Sequence, residues 1–293
     1  MRPGKVLTRA VAVRGVGLFT GEAVCARLLP AAGDGITFVR TDVDPAFELR
    51  AHVDNVASTQ LCTRLGSRKQ PEVSVCTVEH LLAALAGLGV RACRVELDGP
   101  ELPILDGSAR PWVQALLDGA PQARERGGCA SARPLRLSAP IECAAGGARI
   151  RASPASRLRF SYAIDFADGA IGAQRFEWAP PEGEDAFAAV FAAELAPART
   201  FTTAEHARAL QASGRKHGGG LHNALVSDGE RWLNPPPLRF VDEPARHKLL
   251  DLLGDLALCG RPLGPMHVEA HCAGHALHVE LARALLAADA GAA

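Results

Sequence analysis

Two segments of the chain align with each other without gaps, EHLLAALAGLG (79–89) and RHKLLDLLGDL (246–256). The alignment pairs His80 with His247, Gly87 with Gly254 and two leucines with two leucines. Leucine and glycine are common, but the matches come at the same place in two halves that each begin with strand-like runs and proceed to helices. The pattern predicts duplicated α+β units. If the two helices pack together, their histidines approach each other.

The first segment has the period of an amphipathic helix. Its apolar residues recur at the i, i+3, i+4, i+7 spacing: Val78, Leu81, Leu82, Leu85 and Leu88. Thr77 is the predicted N-cap and Gly89 the predicted stop. At about 100° per residue, Glu79 and His80 fall off this apolar stripe, side by side in the first turn. That placement requires an explanation other than core packing.

Composition narrows the function classes. The 293 residues carry 32 Lys plus Arg and 32 Asp plus Glu, so the formal net charge is zero. Proteins that bind nucleic acid usually carry an excess of positive charge, so a small or neutral substrate is expected instead. The first residues lack the apolar run of a signal peptide, and no window reaches the roughly 20 apolar residues of a membrane span, which predicts a cytoplasmic protein. The 8 cysteines form no C-x-x-C pair. They are expected to be mostly small buried hydrophobic residues.

Two alternating runs, Cys93–Val95–Leu97 and Leu158–Phe160–Tyr162–Ile164, predict half-buried strands. A helix is predicted after Ser108, ending at Gly119. The stretch from Pro121 to Pro134 has no apolar period and is rich in Gly, Pro and Arg, which indicates a domain boundary. We therefore predict an N-terminal α+β domain at 1–122 and a C-terminal α+β domain at 133–290, with an insertion at about 200–228.

His247 and Asp251 are four residues apart, hence on one helical face. Most such pairs are surface hydrogen bonds. With His80 from the paired helix, however, they form two imidazoles and one carboxylate, a set that leaves tetrahedral zinc one open position, as in hydrolytic sites. Glu79 beside it is then a candidate general base. The alternative is that Glu79 only complements the positive helix N-terminus.

Two further residues, His275 and Asp255, are candidates for a general acid and its partner. Asp255 lies one turn after Asp251, and His275 is placed at the start of the last helix. A histidine there can serve as general acid, with Asp255 orienting it. Taken alone, His275 is better explained as a capping or surface histidine.

Six motifs in this order resemble the UDP-3-O-acyl-N-acetylglucosamine deacetylase family, the zinc amidases of lipid A synthesis in Gram-negative bacteria. They are RGVGLFTG (14–21), TVEHLLAALAGLG (77–89), PELPILDGSARPWV (100–113), ARTF (198–201), LRFVDEPARHKLLDLLGDL (238–256) and GHAL (274–277). The resemblance covers essentially the whole chain. It implies two similar α+β domains, with helices sandwiched between two sheets and the zinc site at the domain interface.

The resemblance also implies roles. His80, His247 and Asp251 would hold Zn²⁺. Glu79 would be the general base, and His275, supported by Asp255, would protonate the leaving amine. Thr200 would help to hold the oxyanion, Lys248 would contact the nucleotide-sugar end, and Phe201 would pack near the sugar. Leu61 and Cys62 would lie beside the metal. The insertion would form the passage for the 3-O-acyl chain.

The chain departs from the family pattern at three places. Phe19 stands where the family usually has His, Cys272 and Ala273 replace Lys-Ser, and KHGGGLHN (216–223) lacks the usual Ser after its glycines. Phe19 is a predicted substrate-binding residue, and Cys272 and Ala273 are also expected to lie around the substrate. None of these removes a ligand or the base. They leave open a zinc amidase on another N-acylated sugar nucleotide and a non-catalytic binder of nucleotide sugar or lipid. Oligomeric state and acyl-chain length are not readable from sequence.

Overall fold

The computed structural model describes residues 4–67, 70–123, 133–212 and 218–290. Most of the predicted boundary stretch lies outside the described residues, as do Cys129 and the Lys216 and His217 of the glycine-rich run. The domain limits 1–122 and 133–290 therefore stay a prediction.

The N-terminal half folds around one mixed sheet. Its strands are β1 (Lys5–Val6), β2 (Val11–Val16), β3 (Ala23–Leu29), β4 (Gly35–Arg40), β5 (Phe47–Arg50), β6 (Val56–Ser58), β7 (Arg64–Gly66), β8 (Ser74–Val75), β9 (Val90–Leu97) and β10 (Gln122–Ala123). Its helices are α1 (Glu79–Gly87) and α2 (Arg110–Asp118), with a 3₁₀ turn at Val53–Asn55. β9 is the central strand and pairs in parallel with β1 and β4 and antiparallel with β3. β6, β7 and β8 form a small separate sheet.

The C-terminal half repeats the plan. Its strands are β11 (Ile141–Ala145), β12 (Ala148–Pro154), β13 (Arg159–Asp165), β14 (Ala173–Trp178), β15 (Phe201–Thr203), β16 (Leu225–Ser227) and β17 (Met266–His271). Its helices are α3 (Glu184–Glu194), α4 (Ala204–Ala212), α5 (Glu243–Ala257) and α6 (His275–Ala290). The sheet order is β11-β12-β17-β13-β14. β15 and β16 pair in parallel outside this sheet and flank α4 in the predicted insertion.

The strand predictions are confirmed where burial alternates. Cys93, Val95 and Leu97 are fully buried on β9, and the residues between them are half-buried. On β13, Phe160, Tyr162 and Ile164 are buried, as expected for the face of a sheet covered by helices.

Four helices, α1, α2, α5 and α6, form the layer that packs on the two sheets, which confirms the predicted α+β architecture. α1 packs on β9 and α2 on β2, whereas α5 packs on β13 and β14 and α6 on β11 and β12. Within the described chain, α1 and α5 make the most extensive contact between two elements. The order α1-β9-α2 in one half matches α5-β17-α6 in the other, with each middle strand inside its sheet. The aligned segments are therefore equivalent helices that pack on each other.

The predicted N-cap of α1 is wrong. Val78 holds the cap position and no side chain caps this helix end. Thr77 has φ of 59° and its hydroxyl donates to Glu101 Oε1 at 2.9 Å, so it serves a loop contact instead. The predicted stop is supported by Gly89, whose φ of 72° suits a residue without Cβ.

At the second helix the prediction of Ser108 as N-cap is wrong, because Ala109 holds the cap position, although Ser108 Oγ accepts from the Arg110 N–H at 3.2 Å. Gly119 is the C-cap. Cys62, Cys93, Cys143 and Cys259 are buried, as expected for most cysteines, whereas Cys272 is exposed. None of the helices in the described ranges is both long and apolar enough to cross a lipid bilayer.

Candidate metal centre

The contact between α1 and α5 brings the predicted ligands together. His247 and Asp251 lie on one face of α5, and His80 projects from the first turn of α1. The rings of His80 and His247 meet edge to face with centroids 5.0 Å apart. All three side chains are buried, because the face of α1 that carries His80 is covered by α5. This explains why His80 and Glu79 depart from the apolar stripe.

The ligand atoms converge on one point. Nε2 of His247 lies 3.4 Å from Asp251 Oδ1, and Nε2 of His80 lies 3.6 Å from the same oxygen. His247 Nδ1 is 3.0 Å from the Ala198 carbonyl oxygen, which can only accept, so Nδ1 carries the proton and Nε2 presents its lone pair. Asp251 Oδ1 is buried and has no hydrogen-bond partner among the residues that the structure describes. A cation is the group that such an arrangement fits, because buried oxygens rarely stay unpaired.

Charge around the ligands is consistent with metal binding. Burial lowers the pKa of His247 to about 4, which keeps its ring neutral as a ligand must be. Burial alone would raise the pKa of Asp251, but His247 and Lys248 hold it well below its usual value. Lys248 Nζ donates to Asp251 Oδ2 at 2.7 Å and leaves only Oδ1 open.

Glu79 lies beside the ligands and is held by a residue that the sequence did not single out. The Thr63 N–H donates to Glu79 Oε2 at 3.1 Å. Burial raises the pKa of Glu79 to about 8, against the opposing effect of His275, whose Nε2 lies 4.0 Å from Glu79 Oε1. A divalent cation on the neighbouring ligands favours the ionised carboxylate and lowers this pKa.

Asp255 organises a second cluster on the other side of Glu79. Its Oδ2 lies 2.8 Å from His275 Nδ1 and 2.9 Å from His278 Nδ1, and its Oδ1 accepts from the Thr63 hydroxyl at 2.5 Å. These three residues, Asp255, His275 and His278, are also close enough to hold a metal. Hydrogen bonds already satisfy them, so this cluster is better explained as a proton-handling group.

His275 has the charge state of an acid. Burial alone would lower its pKa, but Asp255, as a charge and as a hydrogen-bond partner, together with Glu79 and Asp251, raises it to about 9. A neutral solution therefore leaves His275 protonated. The 2.8 Å contact between His275 Nδ1 and Asp255 is consistent with the predicted support of His275, whose role stays a prediction.

A cavity of about 310 Å³ opens onto the candidate ligands. Ten predicted site residues line it: Phe19, Leu61, Glu79, His80, Thr200, Phe201, His247, Lys248, Asp251 and His275. Asp255 lies behind His275, and Cys62 is buried away from the cavity wall. Among the described residues, Cys272 and Ala273 do not line this cavity, whereas Phe19 and, from the glycine-rich run, Gly219 and Gly220 do.

A larger apolar cavity, of about 380 Å³, lies at the other ends of α1 and α5, against Leu85 and Leu256. It contains none of the predicted site residues. Its apolar lining alone would favour this cavity, but a cluster of buried titratable groups with shifted pKa values lines the smaller one, which we take as the site.

Three residues of the site escaped sequence reasoning. Thr63 bridges Glu79 and Asp255, and nothing in the one-dimensional pattern places it there, although it follows the predicted Leu61 and Cys62. Tyr162 was predicted only as a strand residue. His278 carried a readable signal, because it follows His275 by three residues and so shares a helical face.

Comparison with known proteins is consistent with this geometry. The family model described as UDP-3-O-acyl N-acetylglycosamine deacetylase matches residues 5–287. A Nostoc sp. protein named UDP-3-O-acyl-N-acetylglucosamine deacetylase is 45% identical over 283 residues, covering 96% of this chain and 97% of that protein. Proteins of the same name from Synechocystis sp. and Myxococcus xanthus are 41% identical over 281 residues and 39% over 291. They cover 96% and 98% of this chain, and 97% and 88% of their own lengths.

Proposed function

The chain belongs to the UDP-3-O-acyl N-acetylglycosamine deacetylase family, and we propose that the cavity between α1 and α5 carries out that reaction with zinc. The enzyme is a hydrolase that removes the N-acetyl group of UDP-3-O-acyl-N-acetylglucosamine and releases acetate in lipid A synthesis. The observation that carries the proposal for the site is Asp251 Oδ1, a buried oxygen without a partner that faces two imidazole Nε2 atoms.

His80, His247 and Asp251 would hold the zinc ion. Two neutral imidazoles and one carboxylate are a ligand set of catalytic zinc, which keeps one position open. The chemistry that zinc supplies when bound is Lewis acidity, which lowers the pKa of a water molecule and polarises a carbonyl group. The Ala198 carbonyl and Lys248 fix the orientation of His247 and Asp251, as partners of metal ligands commonly do.

Glu79 takes a proton from the attacking water as the new C–O bond to the acetamide carbon forms. The Thr63 N–H occupies Glu79 Oε2, so Oε1 is the oxygen left to face the cavity. The carboxylate is charged when a cation is bound nearby, and a base held in place contributes through its position as well as its pKa.

His275 then gives its Nε2 proton to the sugar nitrogen as the C–N bond breaks. Asp255 holds Nδ1, so the ring presents Nε2 to the cavity and to Glu79. The proton balance closes, because one proton of the water goes to Glu79, the other leaves on acetic acid, which ionises to acetate in solution, and the amine receives one from His275. Transfer of the Glu79 proton to His275 restores both groups.

The cavity walls supply the substrate contacts that we infer. Thr200 has its backbone N–H bonded to the Gly107 carbonyl at 2.8 Å, while its hydroxyl has no partner within the described ranges and is available for the oxyanion. Apolar residues of the insertion, among them Ala207, Leu210 and Val226, line the cavity and suit the 3-O-acyl chain. Lys248 and Phe201 would face the nucleotide-sugar end.

The test is acetate release from UDP-3-O-acyl-N-acetylglucosamine by zinc-loaded wild type and Glu79→Gln. We expect Glu79→Gln to keep its zinc and to lose about 10² to 10⁴-fold in kcat, the usual contribution of a general base. Glu177→Gln is the matched control, because Glu177 is exposed on β14, away from the cavity, and pairs with Arg175.

Two results would contradict the proposal. A fall of less than about threefold in Glu79→Gln would make Glu79 a helix-start carboxylate rather than a base. Tight binding of the nucleotide sugar by wild type, with zinc present and no acetate released, would favour the non-catalytic binder instead.

A further inference from the structure

His278 is a buried imidazole that the proposed reaction leaves without a role. It lies one turn after His275 on α6, and its side chain is inaccessible to solvent. Its Nδ1 is 2.9 Å from Asp255 Oδ2, and its Nε2 is 2.8 Å from the Tyr162 hydroxyl oxygen. Both ring nitrogens are therefore in hydrogen bonds inside the protein.

The oxygen that His278 contacts is the same one that holds His275. Asp255 Oδ2 has His275 Nδ1 at 2.8 Å and His278 Nδ1 at 2.9 Å, while the Thr63 hydroxyl occupies Oδ1. The negative charge of Asp255 is thus divided between two imidazoles and one hydroxyl. A carboxylate that accepts several hydrogen bonds binds a further proton less strongly.

The Tyr162 hydroxyl can keep His278 Nε2 paired while Nδ1 donates to Asp255, at the expense of its own bond to the Ala273 carbonyl oxygen. This hydroxyl has two neighbours, the Ala273 carbonyl oxygen at 2.7 Å and His278 Nε2 at 2.8 Å. A hydroxyl can rotate its single proton toward either one. Because the Asp255 carboxylate can only accept, His278 keeps its proton on Nδ1, and Nε2 accepts from Tyr162.

We propose that His278 is a positioning residue for the general acid, because its Nδ1–H withdraws part of the Asp255 charge from His275 and so eases release of the His275 proton. The inference rests on the proposed function in one respect, namely that His275 is the acid. Without the second donor, Asp255 interacts more strongly with His275 alone and holds the proton more tightly.

The charged groups around the two rings are consistent with this division. His278 faces Asp255 of α5, His275 of its own helix and Tyr162 of β13, with Lys248 further away, and burial lowers its pKa so that it is a neutral donor. His275 is surrounded by Asp255, Glu79 and Asp251, which favour its charged form.

The experiment measures the pKa of His275 by NMR titration of histidine-labelled, zinc-loaded protein, with the signal assigned from His275→Ala. In His278→Leu we expect this pKa to rise by about one unit, since one charge-assisted hydrogen bond to Asp255 is lost. The basic limb of the kcat–pH profile should move up by the same amount.

Two variants serve as controls for a merely structural effect. His278→Asn places an amide N–H near the position of Nδ1 and should restore the wild-type pKa of His275. Tyr162→Phe disturbs the same buried network one link further on but keeps the Nδ1 donor, so it should lower Tm and leave the His275 pKa unchanged. A structural role alone would move Tm in all three variants without a selective pKa shift.

An unchanged His275 pKa in His278→Leu would overturn the inference, as would an equal rise in His278→Asn. If His278→Leu does not fold, His278→Gln removes the Nδ1 donor while keeping an amide near Nε2 and is read in the same way. Because the titration needs no substrate, it is separate from the proposed function, which fails instead if zinc-loaded wild type releases no acetate.

Discussion

Glu79 and His275 face each other inside the candidate site, with 4.0 Å between Oε1 of the carboxylate and Nε2 of the imidazole. One residue is contributed by α1 of the N-terminal half and the other by α6 of the C-terminal half. Each favours the charged form of the other, as His275 opposes the burial-induced rise in the Glu79 pKa and Glu79 helps to raise that of His275. The pair can therefore hold a base and an acid at the same time.

This pairing predicts a bell-shaped pH dependence of kcat. Glu79 acts when ionised, so activity rises with pH through its pKa, which is about 8 from burial and lower when a cation is bound. His275 acts when protonated, so activity falls as pH rises through about 9. The measurement is kcat from about pH 5 to 10 under conditions in which the chemical step limits the rate. A flat profile would exclude this pair as base and acid, and His275→Asn should remove the basic limb.

Replacing a ligand should remove the metal. Wild type is expected to retain about one zinc per chain after dialysis, and a His247→Ala, Asp251→Ala double variant should lose it, since one imidazole cannot hold the ion alone. Elemental analysis checks both. His267→Ala is the control, because His267 lies on β17 and bonds Ser161 away from the cavity. Full occupancy in the double variant would disprove the ligand assignment.

Lys248 has two candidate roles, to support metal binding through Asp251 or to contact the substrate as the family resemblance implies, and a substitution can distinguish them. It donates to Asp251 Oδ2 at 2.7 Å and also lines the cavity. Because loss of a ligand's partner typically weakens metal binding by about 10 to 100-fold, Lys248→Met should raise the zinc dissociation constant by that amount. Arg246→Met, on the same helix but paired with Asp242, is the control. Unchanged zinc affinity with a raised KM would assign Lys248 to the substrate alone.

Gly254 fixes the approach of α5 to α1. A Cβ added there would lie 2.1 Å from the Glu79 carbonyl oxygen and 2.8 Å from its carbonyl carbon, so the helices must separate. Gly254→Ala should therefore destabilise the protein by about 1–3 kcal/mol, the usual cost of overpacking, despite the better helix propensity of alanine. Denaturant unfolding and zinc content check this. Gly33→Ala, which meets nothing within 4 Å, should leave both unchanged.

Sequence reasoning was sufficient where spacing determines geometry. His247 and Asp251 are four residues apart on a helix, so their shared face follows from the helical period, and the duplicated segment places His80 opposite them. The alternation of Cys93, Val95 and Leu97 likewise determines which face of β9 is buried. These features depend on neighbours in the chain or on a repeat that the chain itself displays.

Contacts between distant loops were not accessible in this way. Thr77 is a residue type that commonly caps helices, but its hydroxyl donates to Glu101, and that contact exists only after the chain has folded. Thr63 meets Asp255 across most of the chain length, and no period links them. The sequence places His278 on the same helical face as His275, yet only the position of Tyr162 shows that a hydrogen bond fixes the His278 ring.

The candidate ligands are divided between α1 and α5, and this has a consequence for the order of events during synthesis. A nascent chain that has released only its N-terminal half from the ribosome presents His80, a single donor with negligible hold on a metal ion. The partner helix emerges later, at the few to twenty or so residues per second of translation, and must dock before three donors converge. Metal capture is therefore a late step, and the ion selects those molecules in which both halves have been completed and joined correctly.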